Sequence, residues 1–311
     1  MNTKKILQPE LAKKAVDAIE GAVGKFPSYR RAHAKGSYYR AVFTPNGNAS
    51  SMTTAPHLQN TPVPALVRFS NGSPNPHVAD ILAPVKGMAV QFQLPDGSVT
   101  NMATVTIPIF FAKTPQAFIE LLQSFKPDPT TGAPDQSKIQ AVLEKYPESK
   151  PGLMVAKSAQ SPASFATADY FAIHAFYFIN AEGKRQAVRY QFVPDTGVQM
   201  LSKEEAEERA QEYLTGELEE RLAQGPIGFN LCVQIGQEED PTNDSTVAWQ
   251  EDRETIVIGH LSITDIVEDQ EENVVFDPTI VPEGIECSED PVLNFRRAAY
   301  ADSFGRRNQN L

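Results

Sequence analysis

The chain has 311 residues, 41% of them apolar and 22% charged, with a formal net charge of −11. That acidity argues against a nucleic-acid surface, which needs a basic face, and leaves small ligands as the natural partners. Two cysteines, Cys232 and Cys287, exclude a disulfide framework and read as small apolar fillers.

The start, "MNTKKILQPELAKKAVDAIEG", is basic, but no apolar stretch follows it, so no signal peptide is expected. No apolar run is long enough for a membrane span, and the default expectation is a cytoplasmic protein. Leu11, Ala15, Ile19 and Val23 recur every four residues and predict a helix over 8–24. From 38 to 104 the period changes to two. In "ALVRFS" Ala65, Val67 and Phe69 share one face, and Leu66, Arg68 and Ser70 the other. In "GMAVQFQL" Met88, Val90 and Phe92 oppose Gln91 and Gln93. These patterns predict half-buried strands. "TPQAFIELLQSF" and "SKIQAVLEKY" read as helices, and "FAIHAFYFINAEGKRQAVRYQFV" as a hairpin turning through "AEGK".

Ser202 and Glu205 form a capping box that opens a predicted helix over 203–224, closed by Gly225-Pro226. Two strands follow, "NLCVQI" and "TIVIGHLSI", separated by the acidic loop 237–254. Beyond 264 the chain reads as irregular up to a short helical tail near 291–304. The sum is about eight strands in mostly sequential order. It predicts an α+β fold in which an antiparallel β-barrel carries helical additions, all in one domain, 1–311.

Dinucleotide, P-loop, zinc-protease and serine-hydrolase signatures are absent. The five histidines (33, 57, 77, 174 and 260) show no metal-ligand spacing. Three stretches remain. In "FRRAAYADSFGRR" four arginines surround Tyr300. A tyrosine held as phenolate is a hard anionic ligand suited to ferric iron. Arg296, one helical turn earlier, stands where it could favour that form; the alternative is an exposed basic tail. In "YRRAHAKGSYY" His33 is either a structural histidine or a proton shuttle. In "ALVRFSNGSP" Arg68 lies inside a strand, where either a wet face or an anionic ligand must compensate it.

"RRAHAKG", "ALVRFSNGSP", "KGMAVQF", "TIPIFFAKTPQAF", "HAFYFINAEGK" and "FRRAAYADSFGRR" occur in the order of the corresponding segments of haem catalases. The resemblance runs from about residue 25 to 307, and is strongest to the short catalase-related peroxidases. It implies the catalase fold, a haem cofactor, with haem b the expected type, and peroxide as substrate. It implies that Tyr300 is the iron ligand, as tyrosine is in catalase, and that Arg296 pairs with its phenolate. His33 becomes the acid–base residue beside peroxide. Arg30, Arg68 and Arg307 become the partners of the haem propionates. Phe111 matches an aromatic residue of the peroxide pocket, and His174 with Asp290 a supporting pair at the haem edge. Arg297 and Arg306 are left as solvated charge.

Two positions depart from the family pattern. The asparagine that catalases place two residues before the proline of this segment is Thr106 here, with one hydroxyl donor instead of an amide's two. Ala32 stands where a valine is common. The resemblance also leads one to expect neither a C-terminal helical or flavodoxin-like domain nor the long interlocking arm, so a homodimer replaces the usual tetramer as the expected assembly. The function implied is a peroxidase using a small organic donor, with weak catalase activity at most. A minimal catalase and a fatty-acid hydroperoxide isomerase like the allene oxide synthases stay open, as does a haem-binding barrel without turnover.

Overall fold

The computed structural model describes residues 3–268 and 273–309. Among these residues, ten strands form one antiparallel sheet: β1 (Gly36–Pro45), β2 (Val63–Asn71), β3 (Lys86–Gln93), β4 (Val99–Val105), β5 (Tyr170–Phe171), β6 (Phe176–Ile179), β7 (Arg185–Pro194), β8 (Ile227–Ile235), β9 (Thr255–Val267) and β10 (Ile285–Cys287). Their order is β10-β6-β7-β5-β4-β3-β2-β1-β9-β8, and β7 also pairs with β8. Eight strands therefore close on themselves, while β6 and β10 extend from the edge of β7. The anticipated barrel of about eight strands is present, but the first strand of the expected hairpin is split: β5 joins the barrel, and β6, the hairpin partner of β7, lies outside it.

The alternation seen in the sequence decides which face turns inward. Phe43, Val67, Phe69, Met88, Val90, Phe92, Phe192, Phe229 and Leu261 are fully buried in one continuous core. An eight-stranded barrel has room for side chains and little else. Each such apolar side chain contributes about 1.5–3 kcal/mol when taken out of water. The filled interior has a functional consequence: a large ligand must bind outside it. The residues that alternate with the core, Tyr38, Arg68 and Gln91 among them, line the outer wall of β1, β2 and β3.

Among the described residues, seven α-helices surround the barrel: α1 (Thr3–Val23), α2 (Pro115–Ser124), α3 (Gln136–Lys145), α4 (Ser149–Ser158), α5 (Lys203–Glu207), α6 (Tyr213–Leu222) and α7 (Pro291–Asn308). Ala12, Ala15 and Ala18 of α1 pack with Ile119 of α2 and Phe295 of α7 in a second small core. The alanines let α1 lie close against α7, which carries Tyr300.

Three expectations need correction. The single helix over 203–224 is two helices, although its capping box at Ser202 and Glu205 is present. Tertiary contacts break it. The backbone of Asp80 donates to Gln211 O, and its carboxylate accepts from Leu214 N, at the start of α6. Helix α4 was not anticipated, because Pro151 and Gly152 fall in its sequence; Gly152 is needed where the helix crosses the backbone of Phe110 and Phe111. The C-terminal region is also more regular than expected. Strand β9 runs to Val267, β10 forms, and α7 reaches Asn308.

Candidate active site on the outer wall of the barrel

The loop from 29 to 35 enters β1 through a residue in an unusual conformation. His33 has φ +52, in the left-handed region that favours glycine. The loop is held there on both sides. Ala34 N donates to Ser73 O at 3.0 Å, and Asn71 N donates to Lys35 O at 3.1 Å. Arg68 donates through Nη2 to His33 O at 3.0 Å and to Ala34 O at 3.2 Å.

The imidazole of His33 lies against β2 and β3. Its Nδ1 is 3.1 Å from Ser70 Oγ. Under it is Gly87 of β3, where a Cβ would come within 2.7 Å of His33 Nδ1. Any side chain at 87 would push the ring away, so this glycine serves as a platform. Burial lowers the pKa of His33 to about 3, with further lowering from the positive charges of Arg68, Arg296 and Arg30. The ring is therefore neutral.

Arg68 is buried, only 6% exposed, which rules out the wet-face alternative. Its Nε has no hydrogen-bond partner among the described residues. Burial depresses its pKa to about 9, and Arg30 and Arg307 push the same way. Arg30 donates to the Tyr38 hydroxyl at 2.6 Å and to Val274 O at 2.8 Å. Arg30 and Arg307 thus come from distant parts of the chain to bear on Arg68 with like charge. This cluster of like charge, with Arg68 and Arg307 buried and Arg30 half-buried, is suited to an anionic ligand.

Helix α7 supplies the remaining groups. Asp290 caps its start: Oδ1 accepts from Val292 N and Leu293 N, and Oδ2 meets His174 Nδ1 at 2.7 Å. Burial opposes ionisation of Asp290, but His174 and the helix N–H groups outweigh it and hold the carboxyl below its usual range. Burial likewise lowers the His174 pKa, partly offset by Asp290. One turn into the helix, Arg296 donates to the Tyr300 hydroxyl through Nε at 3.2 Å and also through Nη2. Its charge also adds to the lowering of the pKa of both His33 and His174.

Other anticipated residues sit less centrally in these contacts. Thr106 Oγ1 accepts from Lys86 N at 2.9 Å, next to the Gly87 platform, which leaves its hydroxyl proton free to donate elsewhere. Phe111 stacks with Phe118 and touches Phe110, so its recorded partners are α2 and its own neighbour. Arg297 is exposed, as expected, but Arg306 is not solvated charge: it pairs with Asp17, Glu20 and Asp302. Ser70, Gly87 and Tyr38 were missed as site residues. A glycine opening an alternating strand, as in "KGMAVQF", was the available signal for one of them.

A haem group fits this arrangement. The partnerless Nε of buried Arg68 and the arginine convergence suit its carboxylates, and Gly87 keeps the space around His33 open. Comparison with known proteins agrees. The catalase family model matches residues 25–310. The chain belongs to the catalase family. It is 41% identical over 293 residues to a catalase-related peroxidase of Mycolicibacterium paratuberculosis, covering 93% of this chain and 92% of that protein. It is 35% identical over 299 residues to a catalase-related peroxidase of Synechococcus elongatus, covering 95% and 88%. Among solved structures, a bacterial catalase superposes with a TM-score of 0.80 at 26% identity, over 90% of this chain and 57% of that one. Against such large catalases the chain spans little more than half the length. The family's cofactor is haem.

Proposed function

We propose that this catalase-family protein is a haem-dependent peroxidase that reduces hydrogen peroxide or organic peroxides with a small organic donor. The observation that carries this reading is the convergence on one outer wall of a neutral His33, the Tyr300–Arg296 pair, and the unneutralised Arg68 with Arg30 and Arg307. The close likeness to catalase-related peroxidases over nearly their full length supports the peroxidase side of the family.

Bound haem would supply the redox-active iron at which peroxide is reduced. Tyr300 would hold that iron, and Arg296 would keep the tyrosine in its anionic form by donating to its oxygen. Arg30, Arg68 and Arg307 would take the two propionates. Those carboxylates would also offset the arginine charges that add to burial in lowering the His33 pKa. His33 keeps Nδ1 on Ser70, which leaves Nε2 to accept the proton of peroxide. Returning that proton to the departing oxygen lets it leave as water instead of hydroxide, which lowers the cost of O–O cleavage.

The missing amide bears on what happens next. Thr106 has one hydroxyl donor where catalases have an asparagine, and a second peroxide is less well oriented for oxidation to oxygen. Haem b, a cytoplasmic setting and a homodimer complete the reading. No described helix is long and apolar enough to cross a membrane.

The deciding experiment loads the protein with haem and follows oxygen release from hydrogen peroxide, beside a sample that contains an oxidisable phenol. Steady phenol oxidation with little oxygen is the expected result. Rapid oxygen release without donor would make the protein a minimal catalase. Loss of a lipid hydroperoxide without donor would point to the isomerase, and no turnover at all would overturn the enzymatic reading.

A further inference from the structure

Helix α1 ends ahead of residue 25, where the family match begins, yet one of its side chains reaches both halves of the pocket. Glu20 is buried, 8% exposed. Its Oε1 accepts from Arg31 Nε at 2.8 Å, and its Oε2 accepts from Arg306 Nη1 at 3.0 Å. Arg31 stands two residues before His33, and Arg306 six residues after Tyr300. The backbone N–H of Arg31 also donates to Ser303 Oγ on α7, at 3.3 Å. Arg306 is steadied further by Asp17 and Asp302, each at 2.8 Å. The peroxide-side loop and the iron-side helix are thereby stitched together along one edge, with α1 as the clasp.

We propose that Glu20 is a positioning residue for the haem site, setting the separation between the His33 loop and α7. The inference rests on the haem peroxidase reading. Its physical basis is twofold. His33 at φ +52 keeps a conformation that a residue with a Cβ holds only when its surroundings over-determine it, and the Arg31 anchor is one of those restraints. A single carboxylate with two acceptor oxygens can satisfy two guanidinium groups at once. A glutamine cannot: its amide nitrogen would set donor against donor on one of them. The chemistry at His33 and Tyr300 would stay intact, but their mutual placement would loosen.

The test uses Glu20→Gln and Glu20→Asp, with Glu286→Gln, a partner of Arg185 on the exposed surface, as a matched control. Amide hydrogen exchange is measured on the haem-free protein. Transfer of haem to an apo-globin acceptor and steady-state kinetics are measured on the loaded one. Glu20→Gln is expected to raise exchange over 29–34 and 300–306 and to speed haem loss about tenfold, the low end of the roughly 10- to 100-fold typical of losing an outer supporting partner. It should also lower kcat for peroxide while the KM for donor stays put. Glu20→Asp, one methylene shorter, should fall between, and Glu286→Gln should match the parent. A folded Glu20→Gln with parental exchange and haem loss overturns the proposal. Should Glu20→Gln not fold, Glu20→Asp decides, and parental behaviour there overturns it equally. Raised exchange in a protein that never takes up haem would instead sink the functional reading and leave the clasp standing.

Discussion

Two imidazoles in this protein, buried His57 inside the barrel and half-buried His33 outside it, have pKa values lowered to about the same value, the second with added help from arginines. His57 lies in the barrel core against Phe92, ring centroids 5.0 Å apart, with neither ring nitrogen hydrogen-bonded among the described residues. Its pKa falls to about 3 through burial alone. His33 reaches about 3 through burial and then through three arginines. Desolvation by packed rings is a permanent feature of the fold. Repulsion by arginines can be reversed by anything that neutralises them. The outer histidine can therefore be retuned by a ligand, and the inner one cannot.

The largest effect that would sharpen this contrast is on the cofactor. Tyr300→Phe removes the oxygen proposed to bind iron and should cost more haem affinity than the roughly 10- to 100-fold typical of losing an outer partner. Haem titration followed by visible absorbance checks it. Next comes His33→Ala, which should keep haem but cut peroxide turnover by about 100- to 10,000-fold, the usual contribution of a positioned acid–base group. Gly87→Ala should follow, with up to about a 100-fold loss of turnover, because its Cβ would occupy the place of the His33 ring. Its melting temperature should move little, since the strand itself is undisturbed; retention of parental turnover would refute the platform role.

The smallest effect on turnover belongs to His57, and it shows in stability instead. An unfolded imidazole has a pKa near ~6.5. Between pH 6.5 and the folded value of about 3 the unfolded chain binds the extra proton. Stability is thus fully present above ~6.5 and drains away as pH falls, by up to about 1.4 kcal/mol per pH unit for each such imidazole. His57→Phe, which matches its neighbours Phe43 and Phe92, should flatten that slope in urea melts between pH 4 and 7. Haem binding should flatten only the part due to His33. An unchanged slope in His57→Phe would mean that water reaches the ring.

Much of this was legible beforehand. Period-two alternation through Val67, Phe69, Met88 and Phe92 marked both the barrel and its inward face, and the Arg296–Tyr300 spacing marked a helical pair. The break between α5 and α6 was not legible, because it is made by Asp80, more than a hundred residues away in sequence. Arg306 was misjudged for the same reason: its partners Asp17 and Glu20 lie at the other end of the chain. Ser70 and Gly87 matter only because a loop folded at positive φ lays His33 across them.

The sequence by itself determined the local periods, the caps and the residue types able to bind iron, move a proton or hold carboxylates. These depend on neighbours within a turn or a strand. Only the tertiary structure decided that the barrel interior is full, that Arg30 and Arg307 converge on buried Arg68, and that a helix outside the family match buckles its two sides together. Those outcomes depend on desolvation and on contacts between segments far apart in the chain, and neither leaves a periodic trace in the residues themselves.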